Sequence, residues 1–187
     1  LRDRIARGPL PLSEVTRIGM ALCDALIRLH QSGLLHRDIK PGNVGFDAEG
    51  TPKLLDFGLA LPVEVTRATT VAVAGTPLYL PPEAWQGHPA DHHVDLWGLS
   101  MTLCEALLGS HPLSGITGEE LVAGAAARAA DVLRQHPRVD RLAAAVFARA
   151  PAADPAERFA DAVDLRAALV LLHTSTAGRT PGTTEQI

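Results

Sequence analysis

The residues HRDIKPGN at 36–43 and DFG at 56–58 decide how this 187-residue chain is interpreted. Between them lie two short apolar segments, 44–46 and 53–55, joined by the polar turn DAEG at 47–50. Two such segments around a glycine-containing turn predict a small β-hairpin. Because a hairpin brings its two open ends together, the polar loops on either side of it are expected to form one site.

The rest of the sequence has a mainly helical pattern. Apolar residues recur every three to four positions in 14–30, where Ser13 is placed to cap the helix. The stretch 94–108 is apolar on all sides, which is typical of a helix surrounded by protein. Further helices are expected near 119–135, 139–150 and 159–172.

Two segments lack helical periodicity. Residues 57–82 predict a long ordered loop, and loops of this length in a compact domain are usually functional. Residues 174–187 are rich in Thr, Ser and Gly and predict a disordered tail or linker. The sequence therefore predicts one domain over 1–173, followed by this tail.

Composition argues against several functional classes. A net charge of −4 gives no electrostatic reason to expect a nucleic-acid partner or membrane contact from this segment. Cys23 and Cys104 lie far apart without metal-type spacing, so they are expected to be buried, reduced thiols of a cytoplasmic protein. A membrane anchor in flanking sequence is left open. His88, His92 and His93 are expected in a solvated loop rather than at a metal site.

Three further motifs follow the first two: GTPLYLPPE at 75–83, DLW at 95–97 and DPAER at 154–158. All five, in this order and at this spacing, resemble the eukaryotic-type (Hanks-type) Ser/Thr protein kinases, and the Ala- and Leu-rich composition resembles bacterial members. The resemblance runs from Leu1 to about Leu172. It implies the kinase C-terminal lobe, a mainly α fold with a small β-hairpin element. It also implies ATP and protein substrates as partners and Mg²⁺ as cofactor.

The resemblance assigns chemical roles that suit the residue types. Asp38 would accept or orient the proton of the substrate hydroxyl, and Lys40 would supply positive charge beside the γ-phosphate. Asn43 and Asp56 offer the hard oxygen atoms that Mg²⁺ prefers, and Lys40, Asn43 and Asp56 would bind the nucleotide. Lysine at position 40 resembles Ser/Thr kinases rather than tyrosine kinases. Gly58 leaves the backbone after Asp56 able to turn.

Other residues are expected to support the site. By resemblance, His36 holds its loop against Phe57, and Asp95 accepts backbone N–H bonds from residues 36–43. Thr76 is expected to bond Asp38 and Lys40.

Glu83 and Arg158 are expected to form a buried ion pair, with two unrelated surface charges as the alternative.

Regulation is expected to involve Arg37, which precedes Asp38. In relatives such an arginine receives a phosphate from the long loop. Thr70, with Thr69 as second choice, is the expected autophosphorylation site, and an inert polar stretch is the alternative.

The sequence also departs from the family. No glycine-rich loop, strand lysine or paired glutamate precedes His36, so this fragment alone is expected to be inactive. Gly45 stands where the family places a Leu-like side chain under adenine, and Gly98-Leu99-Ser100 reverses the usual order. A non-catalytic pseudokinase or interaction module is therefore the alternative function, although Asp38 and its partner residues argue against it.

Overall fold

The computed structural model describes residues 1–56, 61–62, 77–116 and 119–177. The helices in these ranges are α1 (Arg2–Ile5), α2 (Leu12–Gln31), α3 (Pro82–Trp85), α4 (His92–Leu108), α5 (Glu119–Gln135), α6 (Arg141–Arg149) and α7 (Ala162–Ala177). The strands are β1 (Leu34–Leu35), β2 (Val44–Phe46), β3 (Pro52–Leu54) and β4 (Leu61–Pro62), and 3-10 turns lie at Pro41–Asn43, Pro77–Tyr79 and Pro155–Glu157. The mainly helical fold with small antiparallel strand pairs confirms the expected fold class.

Helix α4 lies at the centre of the fold. Nearly every residue from Val94 to Leu108 is buried, as the apolar sequence predicted. Asp91 caps its start by accepting the His93 N–H at 2.8 Å, and Gly109 ends it at φ 80°. Helix α2 packs against both α4 and α7. The core face of α2 consists of Val15, Ile18, Leu22 and Leu26, all fully buried.

The predicted hairpin is confirmed. Strands β2 and β3 pair antiparallel, with Val44 opposite Leu54 and Gly45 opposite Lys53. One face of the hairpin is buried through Val44 and Leu54, whereas Lys53 and Leu55 lie exposed on the other. The alternation places a solvent-facing surface directly beside residues 36–43.

A second strand pair was not predicted. Strand β4 pairs antiparallel with β1, with Leu34 opposite Pro62 and Leu35 opposite Leu61. The segment after Asp56 therefore returns beside the strand that leads into His36. Two-residue strands carry too little periodicity to be recognised in a sequence.

Three helix boundaries differ from expectation. Helix α2 begins at Leu12 with Pro11 at the cap position, so Ser13 lies inside the first turn and the assignment of Ser13 as cap is wrong. Helix α4 begins at His92 because Asp91 caps it, so the solvated loop does not extend to His92 and His93.

The last helix continues to Ala177, so the predicted start of the tail at residue 174 is wrong and residues 174–177 are helical. Hydroxyls of Thr174, Ser175 and Thr176 donate to carbonyls three residues earlier, which supports this last turn despite its polar composition. The rest of the predicted tail, 178–187, lies outside the described residues. Across the ranges that the structure describes, no helix is both long enough and apolar enough to cross a membrane.

Candidate active site

Asp95 on helix α4 holds the backbone that leads to Asp38. Its fully buried carboxylate accepts the His36 N–H at Oδ2 (2.9 Å) and the Arg37 N–H at Oδ1 (2.7 Å). Arg37 adopts a left-handed conformation, φ 69°, which is unfavourable for a residue with a Cβ. The two charge-assisted bonds hold that conformation and fix the direction in which the chain enters Asp38.

His30 is a further partner of Asp95 that sequence reasoning missed. It lies near the end of α2, and its Nε2 is 2.9 Å from Asp95 Oδ2. Asp95 therefore joins α2, α4 and the 36–43 loop through one carboxylate. The only signal in the sequence was a histidine near the end of an apolar helix, which is too weak to indicate this contact.

Gly98 explains the reversed order of residues after Trp97. A Cβ at position 98 would lie 3.0 Å from the Ile39 carbonyl oxygen and 3.2 Å from the Ile39 Cβ. Glycine therefore lets α4 approach the loop closely beside Asp38. Two positions on, the buried Ser100 hydroxyl donates to the Leu96 carbonyl at 2.6 Å within the helix. The departure from the family pattern thus leaves the packing of α4 intact.

Asp38, Lys40 and Asn43 lie in direct contact. Lys40 Nζ donates to Asp38 Oδ2 at 2.6 Å, and Asn43 Nδ2 donates to the same oxygen at 2.9 Å and to the Asp38 carbonyl at 2.8 Å. The Asp38 side chain is 10% exposed. Its other oxygen, Oδ1, is buried and has no hydrogen-bond partner among the described residues. Because two donors bind Oδ2, the carboxylate is held in one orientation. Oδ1 is then the oxygen that remains to accept a further hydrogen bond.

Asp56 is tied to the same loop through the residue before it. The Leu55 N–H donates to the Asn43 carbonyl at 2.8 Å, and His36 Nε2 lies 3.1 Å from the Leu55 carbonyl. These bonds hold both backbone polar groups of Leu55, the residue before Asp56, which is exposed and left-handed at φ 61°. His36 therefore contacts the backbone of Leu55, while Phe57, its expected partner, lies outside the described residues.

The donor set fits Mg²⁺. Asp56 offers a carboxylate, and Asn43 uses its Nδ2 on Asp38, which leaves its amide oxygen as the atom that can bind a cation. Hard carboxylate and carbonyl oxygens are the ligands typical of Mg²⁺ in proteins.

Glu83 and Arg158 form the expected ion pair. The guanidinium donates to Glu83 Oε1 at 2.6 Å and to Oε2 at 2.8 Å, and its Nε donates to the Ala152 carbonyl at 2.8 Å. Arg158 also lies over the Trp97 ring, 5.0 Å from its centroid. The bidentate geometry fastens the end of the long loop to the segment before α7.

A second contact holds the end of that loop, and sequence reasoning missed it as well. The Tyr79 hydroxyl donates to Glu105 of α4, and the Tyr79 and His111 rings pack edge to face with centroids 4.7 Å apart. Burial raises the pKa of both Tyr79 and Glu105. Burial also lowers the pKa of His111 to about 4, so this ring is neutral near pH 7.

Several expected site residues lie outside the described ranges: Gly58, Thr69, Thr70 and Thr76. Arg37, the expected partner of a phosphate on Thr70 or Thr69, is described, and it is 7% exposed.

Known proteins resemble this chain over most of its length. A family model described as "Protein kinase domain" matches residues 1–161. Serine/threonine-protein kinase PknB of Mycobacterium leprae is 33% identical over 97% of this chain and 30% of the relative. Serine/threonine-protein kinase PknL of Mycobacterium tuberculosis is 34% identical over 88% of this chain and 42% of the relative.

The chain thus spans 30–42% of the length of these curated relatives. The match to the family model includes the HRDIKPGN, DFG and DLW motifs and the DPAER motif that carries Arg158. The chain therefore belongs to the protein kinase family, and its relatives place it with the Hanks-type Ser/Thr kinases of bacteria.

Proposed function

We propose that the protein containing this chain transfers the γ-phosphoryl group of ATP to Ser or Thr residues of other proteins. The observation that carries the proposal is the buried Asp38 carboxylate. Lys40 and Asn43 fix it through Oδ2, and Oδ1 has no partner among the described residues. A fixed carboxylate whose second oxygen accepts no hydrogen bond from the described residues suits the acceptance of a proton from an alcohol.

In the proposed reaction the substrate hydroxyl attacks the γ-phosphorus and its proton passes to Asp38 Oδ1. The bond between the γ-phosphorus and the bridging oxygen breaks, and ADP leaves with that bond's electron pair. Lys40, held beside the carboxylate at 2.6 Å, places positive charge where negative charge develops on the transferred group. Positioning and charge, rather than covalent chemistry, are what the protein supplies.

Asn43 and Asp56 are the residues that we propose hold Mg²⁺. The ion, when bound, neutralises phosphate charge. The two residues come from loops on either side of the β2–β3 hairpin, and the bond from the Leu55 N–H to the Asn43 carbonyl keeps those loops in register. The hairpin is thus the element that brings the two ligands together.

The proposal also covers the regulation of the kinase and its place in the cell. We propose that Thr70, or Thr69 beside it, is autophosphorylated and that Arg37 receives the phosphate. A cytoplasmic location is proposed because ATP is available there and because the buried Cys23 and Cys104 are both free thiols.

Radiolabelled ATP tests the proposed function on the full-length protein. We expect label on a generic protein substrate, and phosphoserine or phosphothreonine after acid hydrolysis. The Asp24→Asn variant is a control for replacing an aspartate with asparagine away from the proposed site. Asp24 forms an ion pair with Arg166 on the surface, so this variant should retain full activity. Label found only as phosphotyrosine, or no transfer by a folded protein that binds ATP, would contradict the proposal.

A further inference from the structure

Two histidines and an aspartate lie together at the start of helix α4. One possible ligand atom from each of Asp91, His92 and His93 lies within 4.8 Å of the other two. The sequence argued against a metal site because these histidines were expected in a solvated loop, whereas the structure places both of them in the first turn of α4. All three residues are partly exposed, so the cluster is held by regular structure and remains open to an ion from solvent.

Asp91 and His93 already have nearly the spacing of two metal ligands. His93 Nδ1 lies 3.1 Å from Asp91 Oδ1. In a tetrahedral site with bonds of about 2.0 Å, neighbouring ligand atoms lie about 3.3 Å apart. A divalent ion between the two atoms would replace the proton that they share, and that proton would pass to solvent. The carboxylate is held in place for this, because Asp91 Oδ1 also accepts the His93 backbone N–H at 2.8 Å.

His92 is oriented by a contact outside the cluster. Its Nε2 lies 2.7 Å from the Ala160 carbonyl oxygen. Since a carbonyl oxygen can only accept, Nε2 carries the hydrogen, and Nδ1 of the neutral ring keeps its lone pair for a metal ion. A hydrogen bond from the second ring nitrogen to a backbone carbonyl is typical of metal-binding histidines in proteins. The same contact connects the start of α4 to the segment that precedes α7.

The ligand types favour one class of ion. Imidazole nitrogens suit zinc, copper and nickel, whereas Mg²⁺ prefers oxygen ligands. The N-terminus of a helix is its positive end, which disfavours a cation. Negative charge is therefore needed at this position, and the Asp91 carboxylate supplies it.

We propose that Asp91, His92 and His93 bind a late first-row divalent ion, with Zn²⁺ as its representative and with water at the remaining coordination positions. The ion holds His92 in the orientation that contacts Ala160, so it stabilises the junction between α4 and the segment before α7. The site uses neither of the residues that we propose hold Mg²⁺, and it goes beyond the proposed function.

Calorimetry with Zn²⁺ on the metal-free, full-length protein tests the site. His92→Gln and His93→Gln each remove one imidazole, and Asp91→Asn removes the charge while keeping a side chain that caps helices well. Each variant should weaken Zn²⁺ binding at least about tenfold. Saturating Zn²⁺ should raise the melting temperature of the wild type, and the His92→Gln/His93→Gln double variant should lose that rise.

Two control variants show whether the bound ion lies in this cluster. His136→Gln replaces a histidine outside the cluster, whose Nδ1 accepts the Arg138 backbone N–H at 3.3 Å. Asp56→Asn removes a proposed Mg²⁺ ligand. Both should bind Zn²⁺ with the affinity of the wild type, and Mg²⁺ at equal concentration should not displace the Zn²⁺.

Each contrary result overturns a distinct part of the proposal. A wild type that binds no Zn²⁺, or binds it no more tightly than the folded double variant, overturns the site. A loss in His136→Gln equal to that in His92→Gln indicates general association with surface histidines and also overturns it. A similar loss in Asp56→Asn assigns the ion to the proposed Mg²⁺ ligands instead. Displacement by Mg²⁺ overturns the choice of ion.

Discussion

Arg158→Ala should strongly destabilise the fold, because it removes the most buried cation of the described residues. The side chain is fully buried, makes two short bonds to Glu83 and one to the Ala152 carbonyl, and covers the Trp97 ring. Truncation leaves the Glu83 carboxylate, itself largely buried, without its partner. Breaking a buried pair in this way costs about 3–5 kcal/mol.

The expected loss translates into a large thermal shift. A protein of this size loses about 2–4 °C of melting temperature per kcal/mol, so Arg158→Ala should melt about 6–20 °C below the wild type. Urea unfolding should show the same loss in the free energy of unfolding. The matched control is Arg134→Ala, whose partner Asp131 lies 3.2 Å away with both side chains 62% exposed. It should change stability by less than about 0.5 kcal/mol.

A third variant separates charge from packing. Glu83→Gln keeps the shape of the carboxylate and can still accept a bond from Arg158, yet it leaves that arginine without its counter-charge. Its loss of stability should lie between those of the other two variants. The reasoning is refuted if Arg158→Ala unfolds within about 1 kcal/mol of Arg134→Ala, since no buried pair then contributes to stability.

Three further predictions concern pH, thiols and control. Burial lowers the pKa of His111 to about 4 in the folded state, whereas its pKa in the unfolded state is about 6.5. As the pH falls below about 6.5, the unfolded state therefore gains a proton that the folded state does not, and up to about 3 kcal/mol of the free energy of unfolding should be lost by pH 4. His111→Asn should flatten that part of the pH–stability curve measured by urea unfolding; an unchanged slope would contradict it. Burial raises the pKa of Cys23 and Cys104 to about 12, so neither thiol should react with iodoacetamide until denaturant is added, and rapid native labelling would show that assignment to be wrong. Mass spectrometry of the active full-length kinase should find phosphate on Thr70 or Thr69, and a Thr69→Ala/Thr70→Ala variant with full activity would remove both from the control mechanism.

The parts of the fold that depend on long periodic segments could be predicted from the sequence. Helix α4 is apolar on all sides and proved to be surrounded by protein, and the hairpin followed from two apolar segments around a glycine-containing turn. The contact between Glu83 and Arg158 could be anticipated only through the family resemblance, because 75 residues separate them. Local pattern says nothing about pairs so distant in sequence.

What the sequence could not show depends on close approach in three dimensions. His30 reaches Asp95 only because α2 packs against α4, and Gly98 matters only because the Ile39 backbone lies 3.0 Å from its absent Cβ. Gly45 shows the same limit. The sequence indicated a missing apolar surface, whereas the structure shows that Leu55 occupies the space above it. The presence of a glycine in a motif does not show which neighbouring side chain lies in the space that a Cβ would occupy.

Single-turnover phosphoryl transfer by the Asp38→Asn variant tests the central claim most directly. Asparagine keeps the size of the side chain and removes the proton acceptor, so full-length Asp38→Asn should bind ATP with affinity similar to that of the wild type and melt within a few degrees of it. Its rate of transfer to a serine or threonine acceptor should fall by at least about 10²–10⁴-fold. Transfer at the wild-type rate by this folded, ATP-bound variant would contradict the assignment of Asp38 as the residue that accepts the hydroxyl proton.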